Sequence, residues 1–182
     1  SEATSSTLDT NGYNLVSSGA LTLGSSQVAH PDSLYGRILF KTGIHSFAGN
    51  VTCSGQYTHC YMDFASANVY VGGNLNVSYT DVTAGTSTVH MNATATGKTI
   101  TSASQSLNNL TFNGSGGGWT LQDNTTLTGD LTITAGTVTA GATTITVGGN
   151  WNSATGTFTY GTSTVVMGSA SGDRTITTVL VP

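Results

Sequence analysis

Residues 53 to 60 read CSGQYTHC, and the cysteines at the two ends of that stretch are the only ones in the chain. Seven residues of extended strand cover about 23 Å, whereas bridged Cα atoms lie within about 7 Å of one another. A disulfide between Cys53 and Cys60 is expected, and it requires the segment to turn back on itself, with Ser54, Gly55 and Gln56 in the bend. An oxidised pair belongs to an extracellular compartment.

No other chemistry announces itself. The eight acids, Glu2 and seven Asp, are scattered, with no two at the spacing of a general acid and base. Enzymes that cut polysaccharides on elongated β folds gather Asp, Lys and Arg on one face, because acid–base chemistry requires it. Only four Lys and Arg are present here. Asp81, Asp123, Asp130 and Asp173 are therefore expected to cap turns, and no enzyme is expected. His30, His45, His59 and His90 show neither HExxH nor any other ligand spacing, and the Cys pair is not CxxC. No metal and no cofactor are expected, and the imidazoles are assigned to the surface or to strand edges. The run GSGGGW at Gly114 to Trp119 lacks the Lys-Ser/Thr of a phosphate loop and is assigned to a loop between units. Trp119 with Tyr57, Tyr61, Tyr70 and Tyr79 would suit a carbohydrate-stacking platform, whereas Trp151 is assigned to the core.

Sequons of the form Asn-x-Ser/Thr occur at Asn50, Asn76, Asn92, Asn109, Asn113 and Asn124. With so few charges, the surface needs another source of solubility, and glycans at some of these sites would supply it.

The elements that must carry these residues follow from composition. There are 35 Thr, 21 Ser, 24 Gly and 13 Asn against 12 charged residues and two Pro. Thr, Val and Ile favour strands, while Gly and Asn favour turns, so the chain is expected to be all-β and a single domain. Regularly spaced apolar residues argue against disorder. A net charge of -4 leaves no basic patch for phosphate, so nucleic acid is not an expected partner. No apolar run approaches the roughly 20 residues of a membrane helix, so no membrane insertion is expected. The opening SEATSS is what a mature secreted chain would show after removal of a leader.

The chain repeats itself. Displaced by 76 positions, residues 49 to 106 align without a gap on 125 to 182. VGGNLN at Val71 to Asn76 falls on VGGNWN at Val147 to Asn152, and GTSTV at Gly85 to Val89 falls on GTSTV at Gly161 to Val165. A degraded copy opens the chain, matching Leu15 to Ile145, Gly19 to Gly149 and Leu21 to Trp151. The domain 1–182 is thus expected to consist of a degraded unit (1–48), a full unit (49–124) and a truncated unit (125–182). Such repeats mark stacked folds, in which no unit can bury its apolar face alone.

A shorter spacing of about 20 residues runs inside the units. It links Leu127, Val147 and Met167; Leu131 and Trp151; Val138 and Phe158; Ile145 and Val165; and Val51, Val71 and Met91. Pairs two apart, such as Leu131 and Ile133 or Phe158 and Tyr160, read as one face of a strand. If each stretch of about 20 residues makes one coil of three short strands, these residues form inward columns, which is a parallel β-helix, or β-solenoid. Gly72-Gly73-Asn74 and Gly148-Gly149-Asn150 are then corners, expected to have positive φ. The rival arrangement is an antiparallel β-sandwich.

NNLTF at Asn108 to Phe112, LTGDLTITAGTVTAG at Leu127 to Gly141, ITVGGNW at Ile145 to Trp151 and GTFTYGTSTVVM at Gly156 to Met167 resemble the Thr- and Gly-rich repeats of large secreted bacterial and archaeal surface proteins, adhesins and extracellular filament subunits. The resemblance covers 105–182 well, 49–104 fairly and 1–48 loosely. It implies β-helical scaffolding at the cell surface and hands over no catalytic residue. The last unit ends in an apolar strand, Thr178, Val179, Leu180 and Val181, where its copy carries Ser102, Ala103, Ser104 and Gln105. That end is expected to meet the first coil of another copy, by stacking or strand donation, and to build a secreted extracellular filament or cell-surface fibre. A segment of a larger adhesin, or a carbohydrate-binding module that recognises surface glycans or other cells, is the alternative.

Overall fold

A computed structural model of the chain describes residues 6–24, 36–54, 60–78, 80–168 and 172–178. Every regular element among them is a strand, and every ladder is parallel. The chain winds as a β-solenoid. The first coil holds β1 (Ser6–Asp9), β2 (Leu15–Ser17) and β3 (Leu21–Gly24). The second holds β4 (Gly36–Leu39), β5 (Ile44–Phe47) and β6 (Val51–Ser54), and the third β7 (Cys60–Asp63), β8 (Asn68–Val71) and β9 (Leu75–Asn76). Next come β10 (Thr80–Thr83), β11 (Thr88–Met91) and β12 (Lys98–Thr101), then β13 (Ser106–Leu107) and β14 (Asn109–Leu121). The chain continues through β15 (Thr125–Leu127), β16 (Leu131–Thr139), β17 (Thr144–Val147), β18 (Trp151–Ser153), β19 (Thr157–Thr159), β20 (Thr164–Met167) and β21 (Ile176–Thr178). The long strands β14 and β16 each turn a corner and serve two faces.

The strands line three faces. The first carries β1, β4, β7 and β10, then β13, β15, β17 and β20. The second runs β2, β5, β8, β11, the start of β14, the start of β16, β18 and β21. The third runs β3, β6, β9, β12, the end of β14, the end of β16 and β19. One inward column on the second face is continuous from end to end: Leu15, His45, Val69, Val89, Leu110, Leu131, Trp151 and Ile176. Stacked strands form because each alternates an inward apolar residue with an outward polar one, and neighbouring coils bury the same face.

Most expected columns hold. Leu127 pairs with Val147 and Val147 with Met167; Leu131 with Trp151, Val138 with Phe158, and Ile145 with Val165. Val51 is a correction. It stacks between Leu21 and Leu75 on the third face, while Val71 and Met91 continue from Phe47 on the second. The cause is coil length: successive partners lie 20 residues apart at Asn68 and Thr88, but 24 apart at Ile44 and Asn68. Tyr160 is likewise not on the inward face with Phe158; it opens a turn and is exposed.

The Gly-Gly-Asn phrase is a corner, but its φ values are not positive. The glycines are there for space. A Cβ on Gly72 would press on the Ala48 carbonyl at 2.5 Å, and one on Gly73 would overlap Asn50 Oδ1; Gly148 and Gly149 stand in the same way to Thr128 and Asp130. Those side chains belong to a ladder. Asn50 Oδ1 accepts the Asn74 N–H at 2.8 Å, and Asn74 Oδ1 accepts the Thr99 N–H at 2.9 Å. In the later coils Asn109, Asp130 and Asn150 accept the N–H groups of Asp130, Asn150 and Thr175 at 2.8, 2.7 and 3.0 Å. The corner Asn thus supplies acceptors for amides that have no strand partner.

Positive φ sits at a second kind of corner, a β-turn with a left-handed residue. Thr10–Tyr13, Phe64–Ala67, Ala84–Ser87, Ser102–Gln105, Ala140–Thr143 and Tyr160–Ser163 are each closed by a backbone bond from last residue to first. Asn11, Ala65, Gly85, Ala103, Gly141 and Gly161 take the left-handed conformation. Up to β12 this turn joins the first face to the second. At Ser102–Gln105 it follows β12 directly, and from there on it joins the third face to the first. Every face keeps its strand, but the turn now falls one corner earlier, so the pattern has slipped by one face. The two copies of the 76-residue repeat therefore occupy different faces: Val89 lies on the second and Val165 on the first, and Ile100 lies on the third and Ile176 on the second.

The core is apolar and partly aromatic. Phe40 and Phe64 stack at 5.3 Å, Phe47 meets Phe40 edge-on, and Phe112 packs on Trp119 at 5.1 Å.

Candidate assembly site

Cys53 closes the inward side of β6, and Cys60 opens β7 one face further on. They form a disulfide with Cα atoms 6.0 Å apart, so the bond spans the corner between the third and first faces. Ser54 belongs to β6 and not to a bend; Gly55 and Gln56 lie outside the described residues. Cys60 Sγ also approaches the Leu23 carbonyl of the first coil at 3.5 Å.

The sequon asparagines separate by environment. Asn50, Asn109 and Asn124 spend Oδ1 on the next coil, and Asn76 accepts from the Ser78 N–H in its own sequon. Asn109 is half-buried, with its amide nitrogen on Thr88 Oγ1 at 3.4 Å. Asn92 and Asn113 are exposed, immediately after the register partners Met91 and Phe112.

Of the histidines, His30 and His59 lie outside the described residues. His45 corrects the surface assignment: it is fully buried in the inward column of the second face. Its Nδ1 accepts the Leu15 N–H at 3.2 Å, so the proton sits on Nε2, which donates to Phe40 O at 3.0 Å and Thr42 O at 3.2 Å. His90 points outward and stacks on Tyr70 at 4.3 Å, with Nε2 3.1 Å from Asn68 Oδ1. Burial against these neighbours pushes its imidazole below the usual histidine range. Among the described residues no three His, Cys, Asp or Glu stand close enough to hold a metal.

Two of the four capping aspartates hold corners together between coils. Asp123 accepts the N–H groups of Ser102 and Ala103 at 2.9 and 2.6 Å, and Asp130 that of Asn150. Asp173 is exposed. Among the described residues the expected aromatic platform does not come together. Trp119 is buried, and GSGGGW is no loop between units but the corner inside β14. Tyr61, beneath the Arg37 guanidinium at 4.8 Å, faces out from the first face, and Tyr70 from the second. Tyr57 and Tyr79 lie outside the described residues. Trp151 is core, as expected, and Nε1 donates to Ser153 Oγ at 3.0 Å.

The end coils are what remains. β1, β2 and β3 have a ladder partner on one side only among the described residues, and so do β19, β20 and β21. Inward residues there have no neighbouring coil among the described residues: Leu8 is 46% exposed, Val165 39% and Ile176 58%. Outward Val16 and Val166 are 75% and 42% exposed. Of the expected assembly residues, Thr178 is exposed at the end of β21, its Oγ1 accepting from Ser153 Oγ at 3.1 Å. Val179, Leu180 and Val181 lie outside the described residues. No helix of the described residues is long and apolar enough to cross a membrane. No protein-family model, no curated protein and no solved structure matches this chain.

Proposed function

We propose that the protein is a non-catalytic structural subunit of an extracellular fibre, which polymerises by laying the last coil of one copy against the first coil of the next. One observation carries this reading: the exposed large apolar side chains fall mostly at the two ends of the solenoid, where the strands have a ladder partner on one side only among the described residues. A sheet edge of that kind templates another strand, and proteins that remain monomeric cover it. An interface between unlike ends does not close on itself and gives a filament. The disulfide supports an oxidising, extracellular setting, and exposed Asn92 and Asn113 offer places for glycans.

Negative-stain electron microscopy of the purified chain tests the reading. Long threads are expected, and replacing Val165 and Ile176 together by Lys should leave short rods. Short rods from the unaltered chain at high concentration would refute assembly and favour a segment of a larger adhesin. A carbohydrate-binding role has weaker support, because Arg37 and His90 already cover the rings of Tyr61 and Tyr70.

A further inference from the structure

The one-face slip sets how two copies must be oriented if their corners are to match. The first coil reads strand, β-turn, strand, corner, strand, on the first, second and third faces in that order. The last coil, β19, β20 and β21, also places its β-turn between its first two strands but begins on the third face, so Tyr160–Ser163 leads onto the first face and not the second.

On either side of the slip, like turns stack on like turns through a specific bond. The residue after the left-handed position donates to the left-handed residue of the coil before: Ser66 N–H to Lys41 O at 2.9 Å, Thr86 N–H to Ala65 O at 2.7 Å, Thr162 N–H to Gly141 O at 2.7 Å. Gly12 occupies the donor's place in the first coil and Gly161 the acceptor's in the last.

We infer that successive copies in the fibre are turned by one third of a revolution relative to each other, one face being displaced onto the next, in addition to any twist of the coils themselves. This rests on the assembly reading above and specifies its partner, a second copy, in one orientation out of three. In this orientation the inward residues continue their columns. Leu8 of the next copy follows Phe158, Leu15 follows Val165, and Leu21 follows Ile176. A second, independent feature agrees: the exposed outward valines Val16 and Val166 become neighbours. Without the turn, Val16 would lie beside Thr177 and Val166 would lose its apolar partner.

Paired cysteine variants of the full chain test this. Adjacent residues of parallel strands lie close to the Cα separation a disulfide needs, about 4.4–6.8 Å. Val16→Cys with Val166→Cys should give oxidised ladders on non-reducing gels, and Val16→Cys with Thr177→Cys should not. Helical reconstruction of the unaltered fibre should place Val16 of one copy against Val166 of the next, with an axial rise of about 35–40 Å from coils about 4.8 Å apart. Fibres in which the Thr177 pair cross-links, and the Val166 pair does not, would overturn the rotation while leaving assembly intact. A chain that forms no fibres would overturn both.

Discussion

Gly73 and Asn50 are pressed together across two coils: the glycine leaves no room for a Cβ, because Asn50 Oδ1 sits where that carbon would be while it accepts the neighbouring Asn74 N–H. The same geometry recurs 76 residues on, between Gly149 and Asp130. The expected consequence is that Gly73→Ala and Gly149→Ala each destabilise by about 1–3 kcal/mol, the usual penalty for overpacking. Asn74→Ala and Asn150→Ala should each cost about 1–2 kcal/mol, since the N–H groups of Thr99 and Thr175 lose their acceptors. Thermal unfolding followed by circular dichroism measures all four, and an unchanged midpoint in Gly73→Ala would remove the steric account of the corner.

The Cys53–Cys60 bond closes a short loop. Replacing both cysteines by serine should lower stability by about 2–3 kcal/mol through loop entropy. Reductant should bring the unaltered protein to the same midpoint, and a difference between the two treatments would mean that the serines introduce an effect of their own.

His45 is the one residue of its column whose ring both donates and accepts hydrogen bonds. His45→Val, which copies the Val69 of the next coil, should cost about 1–3 kcal/mol by leaving the Leu15 N–H without an acceptor. Hydrogen exchange at the Leu15 amide should accelerate, whereas exchange in β17 should stay as it was.

His90 makes a pH-dependent contribution whose sign is set by its burial. Its folded pKa is lowered, so the unfolded chain binds the proton more readily and protonation favours unfolding. The stabilising difference is complete above about pH 6.5, the usual unfolded value, and is lost as pH falls from there toward the lower folded value. His90→Val, the residue at the copied position Val166, should narrow the gap between melting temperatures at pH 5 and pH 8. An unchanged gap would assign the pH dependence to other groups.

Glycan occupancy should follow exposure. Expressed through a glycosylating secretory pathway, the chain should carry sugar at Asn92 or Asn113 before Asn109, whose side chain is held between coils. Peptide mapping by mass spectrometry reads this directly, and occupancy of Asn109 alone would contradict it.

Much of the fold was legible because an inward column is written as a spacing. Leu127, Val147 and Met167 could be placed from their spacing alone, and the chain's only two cysteines, at the ends of CSGQYTHC, foretold the bridge. Val51 was misplaced because coils vary in length, and a spacing of 20 is not a face. The slip was hidden for a related reason: the repeat preserves the order of residues along the chain, so Val89 and Val165 match letter for letter while lying on different faces. His45 and Trp119 were misjudged because a lone imidazole or indole beside glycines reads as surface. What buries them is contact with residues 30 away at Leu15 and 17 away at Gly136, which no local pattern contains. The end coils were only half legible, since apolar residues at Val165 and Ile176 look like core until their strands are seen to have a ladder partner on one side only among the described residues.

Parallel ladders stacked coil on coil direct the backbone hydrogen bonds along the length of the rod. Tension applied end to end therefore loads those bonds along their own direction and separates one rung at a time, like a zip, instead of shearing many at once. A fibre made this way would yield gradually by losing single turns of its winding, and the covalent tie between Cys53 and Cys60 would limit how far the chain can pay out at that corner.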